Sequence, residues 1–316
     1  MSELPAHARF HLLFDRFGHR LEELSRRRRD ALGIAESVEA VTWNLFRCLE
    51  SIQPAHWLGL FARRARRPGP RISRSRFEEV RISLWEAVAP PPSRREDLRQ
   101  RALREKLCPA PGRLRRGRVT PLSALRRRFA AQARSGKALE PPLEIGAVVR
   151  TPQRLLYVLP VLDGEVEMEV ACDRHRNAIL RALDAGLHEA GQPGAASRAL
   201  CVILLYKDEA CSPRSVALVR AYRQRSDELA RALSHRDRQE AEMGAASLGL
   251  LRWREVGRGL ASALRAARLE PTESCVVTRL LGYLDELGLS RPAAGRNLRA
   301  RSGRGSLLGS KRSGSQ

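Results

Sequence analysis

The residues of this chain best suited to chemistry are carboxylates. Glu165, Glu167 and Glu169 alternate in EVEMEV, so an extended backbone sets all three on one face. Asp163 stands just before them and Asp173 just after. A row of hard oxygen donors can hold Mg2+, and Mg2+ serves phosphate-ester hydrolysis by polarising the phosphate and activating water. The plainer reading, preferred here, is a solvent-facing strand whose negative charge discourages edge pairing. Softer ligands do not assemble. Cys48, Cys108, Cys172, Cys201, Cys211 and Cys275 include no C-x-x-C pair and fit neither a zinc ribbon nor a disulfide frame. Several sit in apolar runs such as RALCVILLY and read as small, reduced core residues of a cytosolic chain. His7 and His11 lie four apart and can share a helix face, with no third ligand near them.

Charge supplies the second signal. The chain carries 58 Lys and Arg against 35 Asp and Glu, a formal net charge of +23, and all but four of the bases are arginine. A GC-rich genome explains Arg in place of Lys, but it does not explain the excess of bases over acids. That excess calls for a polyanionic partner or a strongly solvated surface. Nucleic acid is the first candidate, DNA ahead of RNA, because arginine pairs bidentately with phosphate. Residues 61–140 hold 23 Lys and Arg against 7 Asp and Glu. Arg115, Arg116 and Arg127 there represent the expected phosphate-tracking surface. The N-terminus lacks a continuous apolar stretch of the secretory kind, and ALCVILLY, the longest apolar run, suits a buried strand and not a bilayer span. A soluble, cytoplasmic protein without a membrane partner is expected.

The elements that must position these residues follow from periodicity. Residues 1–60 read as a helical segment packing on the core. In ESVEAVTWNLFRCLESI, Val41, Leu45, Cys48, Leu49 and Ile52 form one apolar stripe, Ser37 is a plausible N-cap, and Pro54 and Trp57 close the helix. Residues 61–140 read as an Arg-rich insertion of loops with charged helices at 93–107 and 121–136. From 141 to 290 the pattern is that of an α/β core. LEIGAVV and RLLYVLPVL form a hairpin around RTPQ, and EVEMEV a half-buried strand. RHRNAILRALDAGLHEAG (174–191) is an amphipathic helix and RALCVILLY (198–206) a buried strand. Helices at 213–240, 253–268 and 272–289 complete the core. Residues 291–316, with seven bases and no acids, are expected to be a disordered basic tail. Together these predict a mixed α/β sheet flanked by helices.

The succession EIGAVVRTPQRLLYVLPVLDG, CDRHRNAILRALDAGLHEAG and CVILLY resembles the core of the PD-(D/E)XK nuclease superfamily, the restriction-endonuclease-like fold. More narrowly it is similar to a bacterial group of such proteins. TWNLFR (42–47), LGLLRWREVGRGL (248–260) and LLGYLDELGL (280–289) stand in the matching order, so the likeness spans most of 36–289. The resemblance implies metal-assisted phosphodiester hydrolysis. An Asp on the hairpin and a Glu on the next strand would hold Mg2+, a Lys two residues on would orient water, and an upstream helix would often add a Glu. This chain departs at each slot. Gly146 stands for the Asp, and Leu159-Pro160-Val161 for the Glu-x-Lys. Glu144 remains, and Glu39 lies near the upstream acidic position; these are the residual catalytic candidates. The weak metal candidates are Glu144, Asp163 and Glu165, with Mg2+ as the cofactor only if a site survives. Pro160 cannot donate to a ladder, which pushes its strand toward an edge or a bulge. Arg176, Asn177 and Arg181 match a helix that in such folds lies close to the active site and the DNA backbone. Arg174, Arg176 and Arg181 are the expected nucleic-acid contacts there, and their charge would stand in for the missing Lys electrostatically. The resemblance also admits a homodimer.

Three functions follow. The first is nucleic-acid binding by a nuclease-like scaffold that has lost catalysis. The second is an active Mg2+-dependent endonuclease with a displaced site. The third is an interaction scaffold whose arginines meet an acidic partner.

Overall fold

The computed structural model describes residues 24–66, 80–111, 120–192, 198–266 and 268–290. The expectations for the first residues with His7 and His11, for the loops carrying Arg115 and Arg116, and for the basic tail lie outside these residues.

The hairpin forms as its turn chemistry requires. β2 (Leu143–Arg150) and β3 (Arg154–Pro160) pair antiparallel. Between them, the Thr151 hydroxyl accepts from the Arg154 amide at 2.9 Å and the Thr151 amide donates to the Arg154 carbonyl at 2.9 Å. A crossing helix, α6 (Ala178–Ala190), leads to β4 (Ala199–Tyr206), which lies parallel to β3. The near-continuous apolar run of β4 is what a strand covered on both faces demands.

Two further strands complete a mixed five-stranded sheet in the order β1-β2-β3-β4-β5. β1 (Arg81–Val88) runs antiparallel to β2, and β5 (Leu248–Arg252) parallel to β4. One face packs against α2 (Val38–Glu50), α3 (Pro54–Ala62), α10 (Trp253–Arg265) and α11 (Pro271–Glu286). The other packs against α6, α7 (Pro213–Gln224), α8 (Ser226–Ala232) and α9 (Arg238–Ser247). A smaller core joins α4 (Pro92–Leu103) and α5 (Leu122–Arg134) through Leu98, Leu125 and Phe129 to Val170 and Cys172. A short helix, α1 (Arg26–Leu32), buries Leu32 against Ala40 and Trp43. The α/β class with flanking helices stands as expected. Among the described residues no helix is long and apolar enough to cross a membrane.

Several details differ from expectation. β1 lies inside the stretch read as helices and loops. Ser37 does cap α2, accepting from the Ala40 amide at 3.0 Å, but Pro54 begins a new helix, as proline at a first turn readily does. Residues 213–240 break into separate helices. EVEMEV is not a strand: only Val170 forms a bridge, with Asp173. Pro160 sits in an interior strand, not an edge. It is tolerated because it is the last residue of β3, and the ladder is taken up by the Val161 amide, which donates to the Leu205 carbonyl at 2.8 Å.

At one rung, β1 and β2 change faces together. Ile82, Leu84, Ala147 and Val149 face the first core, yet Ile145, Leu143 and Val88, at the same parity, face the second. The rung between, Trp85 and Gly146, is left out of the ladder. Trp85 takes φ +52°, a left-handed conformation that is a genuine outlier for a bulky side chain.

Candidate functional site

The ends of β2 and β3, the first turn of α2 and the segment after β3 enclose a cleft of about 430 Å3. Glu39, Glu144, Asp163 and Glu165, chosen from sequence, all line it, as do Gly146, Leu159 and Val161 from the empty catalytic slots. The candidate residues therefore share one place, but Glu39, Glu144 and Glu165 are already engaged there.

Glu39 projects from the first turn of α2, where the helix dipole favours an anion. Arg28 of α1 donates to Glu39 Oε1 at 2.6 Å and also to Glu144 Oε2. The same guanidinium lies 5.2 Å from the Trp85 ring centroid. Trp85 in turn stacks on buried Trp43, with centroids 5.9 Å apart and planes 16° apart. One arginine thus bridges two carboxylates over an aromatic face.

Glu165 caps α7. It accepts from the Arg214 amide at 2.8 Å, the Ser215 amide at 2.7 Å and the Ser215 hydroxyl. Burial alone would raise its pKa, but the Ser215 and backbone hydrogen bonds outweigh it and hold the carboxyl below its ordinary value. Glu167 pairs with Arg181. Asp163 is exposed beside Cys211; burial, then the hydrogen bonds to Asp163 and Asp208, push that thiol up to about 11. Among the described residues no group of three His, Cys, Asp or Glu is arranged to hold a metal ion.

The apolar slots are closed sterically as well as chemically. A Cβ placed on Gly146 would lie 2.2 Å from Pro160 Cδ and 2.5 Å from its Cγ. Gly146 is therefore required by Pro160, and no aspartate fits there while the ring stands. Leu159 and Val161 are buried in the second core, and the Val161 carbonyl accepts from the Trp253 indole at 3.0 Å.

Two of the arginines expected to touch nucleic acid are instead internal. Arg176 and Arg181 are 2% and 4% exposed. Both approach buried Glu140, at 3.4 and 3.5 Å, and Arg176 donates to Asp184. Arg94 joins the same network, 3.4 Å from Glu140 and 2.8 Å from Asp173. Asp184, wholly buried, also meets His235 at 3.0 Å and Arg236 at 2.5 Å. Against its burial, the His235 hydrogen bond and the charges of Arg176, His235 and Arg236 hold the Asp184 carboxyl well below the usual range. Buried charges of this kind must be paired, so these guanidiniums hold α4, α6 and the 173–177 turn together and do not face a ligand. Asn177 is likewise structural: it caps α6 and donates to the Tyr222 hydroxyl at 3.0 Å.

Arg174 and Arg127 are exposed. Arg127 and its neighbour Arg128, on α5, have no carboxylate within ion-pair distance among the described residues. Arg174 has none either, its guanidinium donating to His175 at 3.3 Å. Arg28 and Trp85 are the site residues that sequence reasoning missed; the only signal was their type, an arginine in an arginine run and a lone tryptophan in the basic block. Compared with known families, curated proteins and solved structures, the chain finds no match in any of the three.

Proposed function

We propose that this chain is a nucleic-acid-binding protein on a restriction-endonuclease-like scaffold that does not hydrolyse its ligand, and that it grips phosphates through exposed arginines. The observation that carries the reading is the closure of the catalytic slots. Gly146 is locked by Pro160, Leu159 and Val161 serve the core, and Arg28 covers Glu39 and Glu144. The net charge of +23 and the exposed guanidiniums of Arg127, Arg128 and Arg174, none of them paired with a carboxylate among the described residues, support a polyanionic partner. Phosphate contacts of this sort are read by salt: log K falls with log salt with a slope of about −0.9 per phosphate neutralised. The test is fluorescence anisotropy on duplex DNA across a salt series, alongside plasmid incubated with Mg2+ or Mn2+. Salt-sensitive binding with intact plasmid is expected. Salt-independent binding, or metal-dependent nicking, sinks the proposal.

A second reading has one observation in its favour. Glu39, Glu144, Asp163 and Glu165 line a single cleft, as a displaced Mg2+ site would need. It predicts nicking that Glu144→Ala abolishes in folded protein.

A further inference from the structure

The cleft is acidic in a strongly basic chain. Glu36, Glu39, Glu144 and Asp163 line it together with the Glu165 cap and the Arg181-paired Glu167, and Arg28 is the only cation among the described residues that line it. A phosphate is repelled here; a cation is drawn in. The structure also displays which cation fits. Arg28 sits over the Trp85 ring and donates through separate nitrogens to Glu39 and Glu144. A planar, weakly hydrated guanidinium can stack on the ring and bridge two carboxylates at once with little desolvation; a compact, strongly hydrated ammonium does so less well.

Three further observations mark the place as a binding site and not only as an internal ion pair. Trp85, which lines the cleft, is half-buried and held at φ +52°. Strain of this kind at a concave site belongs with ligand recognition. Thr42, wholly buried, lines the same cleft, and its hydroxyl has no hydrogen-bond partner among the described residues. The Glu144 side chain keeps 57% of its surface exposed although it is bridged by Arg28, so the seat opens to solvent.

We infer that the cleft is a guanidinium-binding site for an arginine side chain supplied from outside the chain, and that Arg28 occupies it in cis as a tethered stand-in. The inference stands apart from nucleic-acid binding: it concerns the acidic cleft and not the exposed arginines. A short tether holds Arg28 at an effective concentration in the millimolar range, which an external arginine must overcome. Removing Arg28 therefore strengthens external binding.

The experiment is isothermal titration at low salt with N-acetyl-arginine amide, and with N-acetyl-lysine amide as the control. The full chain is used as wild type, Arg28→Ala and Arg28→Ala with Glu144→Gln, each checked for native circular dichroism. Arg28→Ala is expected to bind the arginine probe tighter than wild type by a factor of one plus the ratio of the tether's effective concentration to the probe's Kd, about tenfold for a Kd of about 0.1 mM against an effective concentration of about 1 mM. Glu144→Gln, an exposed and conservative change, made in the Arg28→Ala background weakens binding relative to Arg28→Ala alone, and the lysine probe binds more weakly in every form. Self-association of the wild type that the arginine probe reverses supports the inference and names a second copy as the donor. No heat with folded Arg28→Ala, or equal affinity for the arginine and lysine probes, overturns it.

Discussion

Replacing Gly146 with alanine tests how the hairpin is locked. The added Cβ would stand 2.2 Å from Pro160 Cδ, where carbon atoms prefer about 3.5–4.0 Å. The obstacle is a ring closed onto the backbone of β3, so no rotamer change relieves it, and the Val158 carbonyl, 3.2 Å away, blocks retreat on the other side. Overpacking in a tight core costs about 1–3 kcal/mol, and a collision with backbone-fixed atoms belongs at the upper end, about 3 kcal/mol. Pro160→Ala alone costs about 1 kcal/mol, mainly by freeing the unfolded chain. In the double variant the collision is gone, so the loss is about 2 kcal/mol smaller than the sum of the single changes, a coupling characteristic of residues in contact. Urea unfolding followed by far-ultraviolet circular dichroism measures all four forms at a common m-value. If Gly146→Ala lies within about 0.5 kcal/mol of wild type, or the two changes add within that margin, the lock does not exist.

Other expectations follow from the same geometry. Asp184→Asn strands Arg176, Arg236 and His235 without their shared anion and should cost about 3–5 kcal/mol by urea unfolding. Because the folded Asp184 pKa is depressed, its contribution is fully present above the unfolded value of about 3.9 and is lost as pH falls from there through the folded pKa. Melting temperature against pH should drop at the acid end in the wild type, and that part of the drop should be absent in the variant. Thr42→Val removes a buried, unpartnered hydroxyl at constant shape and should be neutral or stabilising by about 1 kcal/mol in thermal unfolding. Arg127→Glu with Arg128→Glu should leave stability within about 0.5 kcal/mol, since both are exposed. The same pair should weaken DNA binding and flatten its salt dependence by anisotropy.

What the chain revealed of its fold tracks how local the determinants are. The β2–β3 hairpin could be read because two β-branched runs flank a turn whose closing residue, Thr151, is adjacent in sequence. β1 could not, because an edge strand that is mostly half-buried carries no apolar run, and RISLWEAV sits among arginines. β5 is five residues long and runs straight into α10, so its sequence merges with the helix. EVEMEV alternated like a strand because its valines point inward, but two of its three acids are claimed by distant partners, Glu165 by the start of α7 and Glu167 by Arg181. The arginines mark the limit most clearly. Arg176 and Arg127 look alike in sequence; one is buried against Glu140 and Asp184, the other exposed on α5. Only the fold brings the carboxylates that distinguish them. Five of the six cleft carboxylates, all but Glu36, were individually visible, while Arg28, which joins two of them, was hidden in a run of four arginines.

The face change at Trp85 and Gly146 bears on what the molecule avoids. Among the described residues β1 is an edge strand, and an edge with a flat, regular ladder is a template on which another chain can grow. Here the edge is interrupted halfway by a left-handed residue, and the side chains on either side of it point to opposite cores. A neighbouring strand laid along β1 cannot follow both halves without the same irregularity at the same place. Sliding β1 by two residues along β2 fares no better, since it sets Trp85 against a residue with a side chain and turns apolar groups out of their cores. The irregular rung thus fixes the alignment of the hairpin sheet and makes its open margin a poor seed for aggregation.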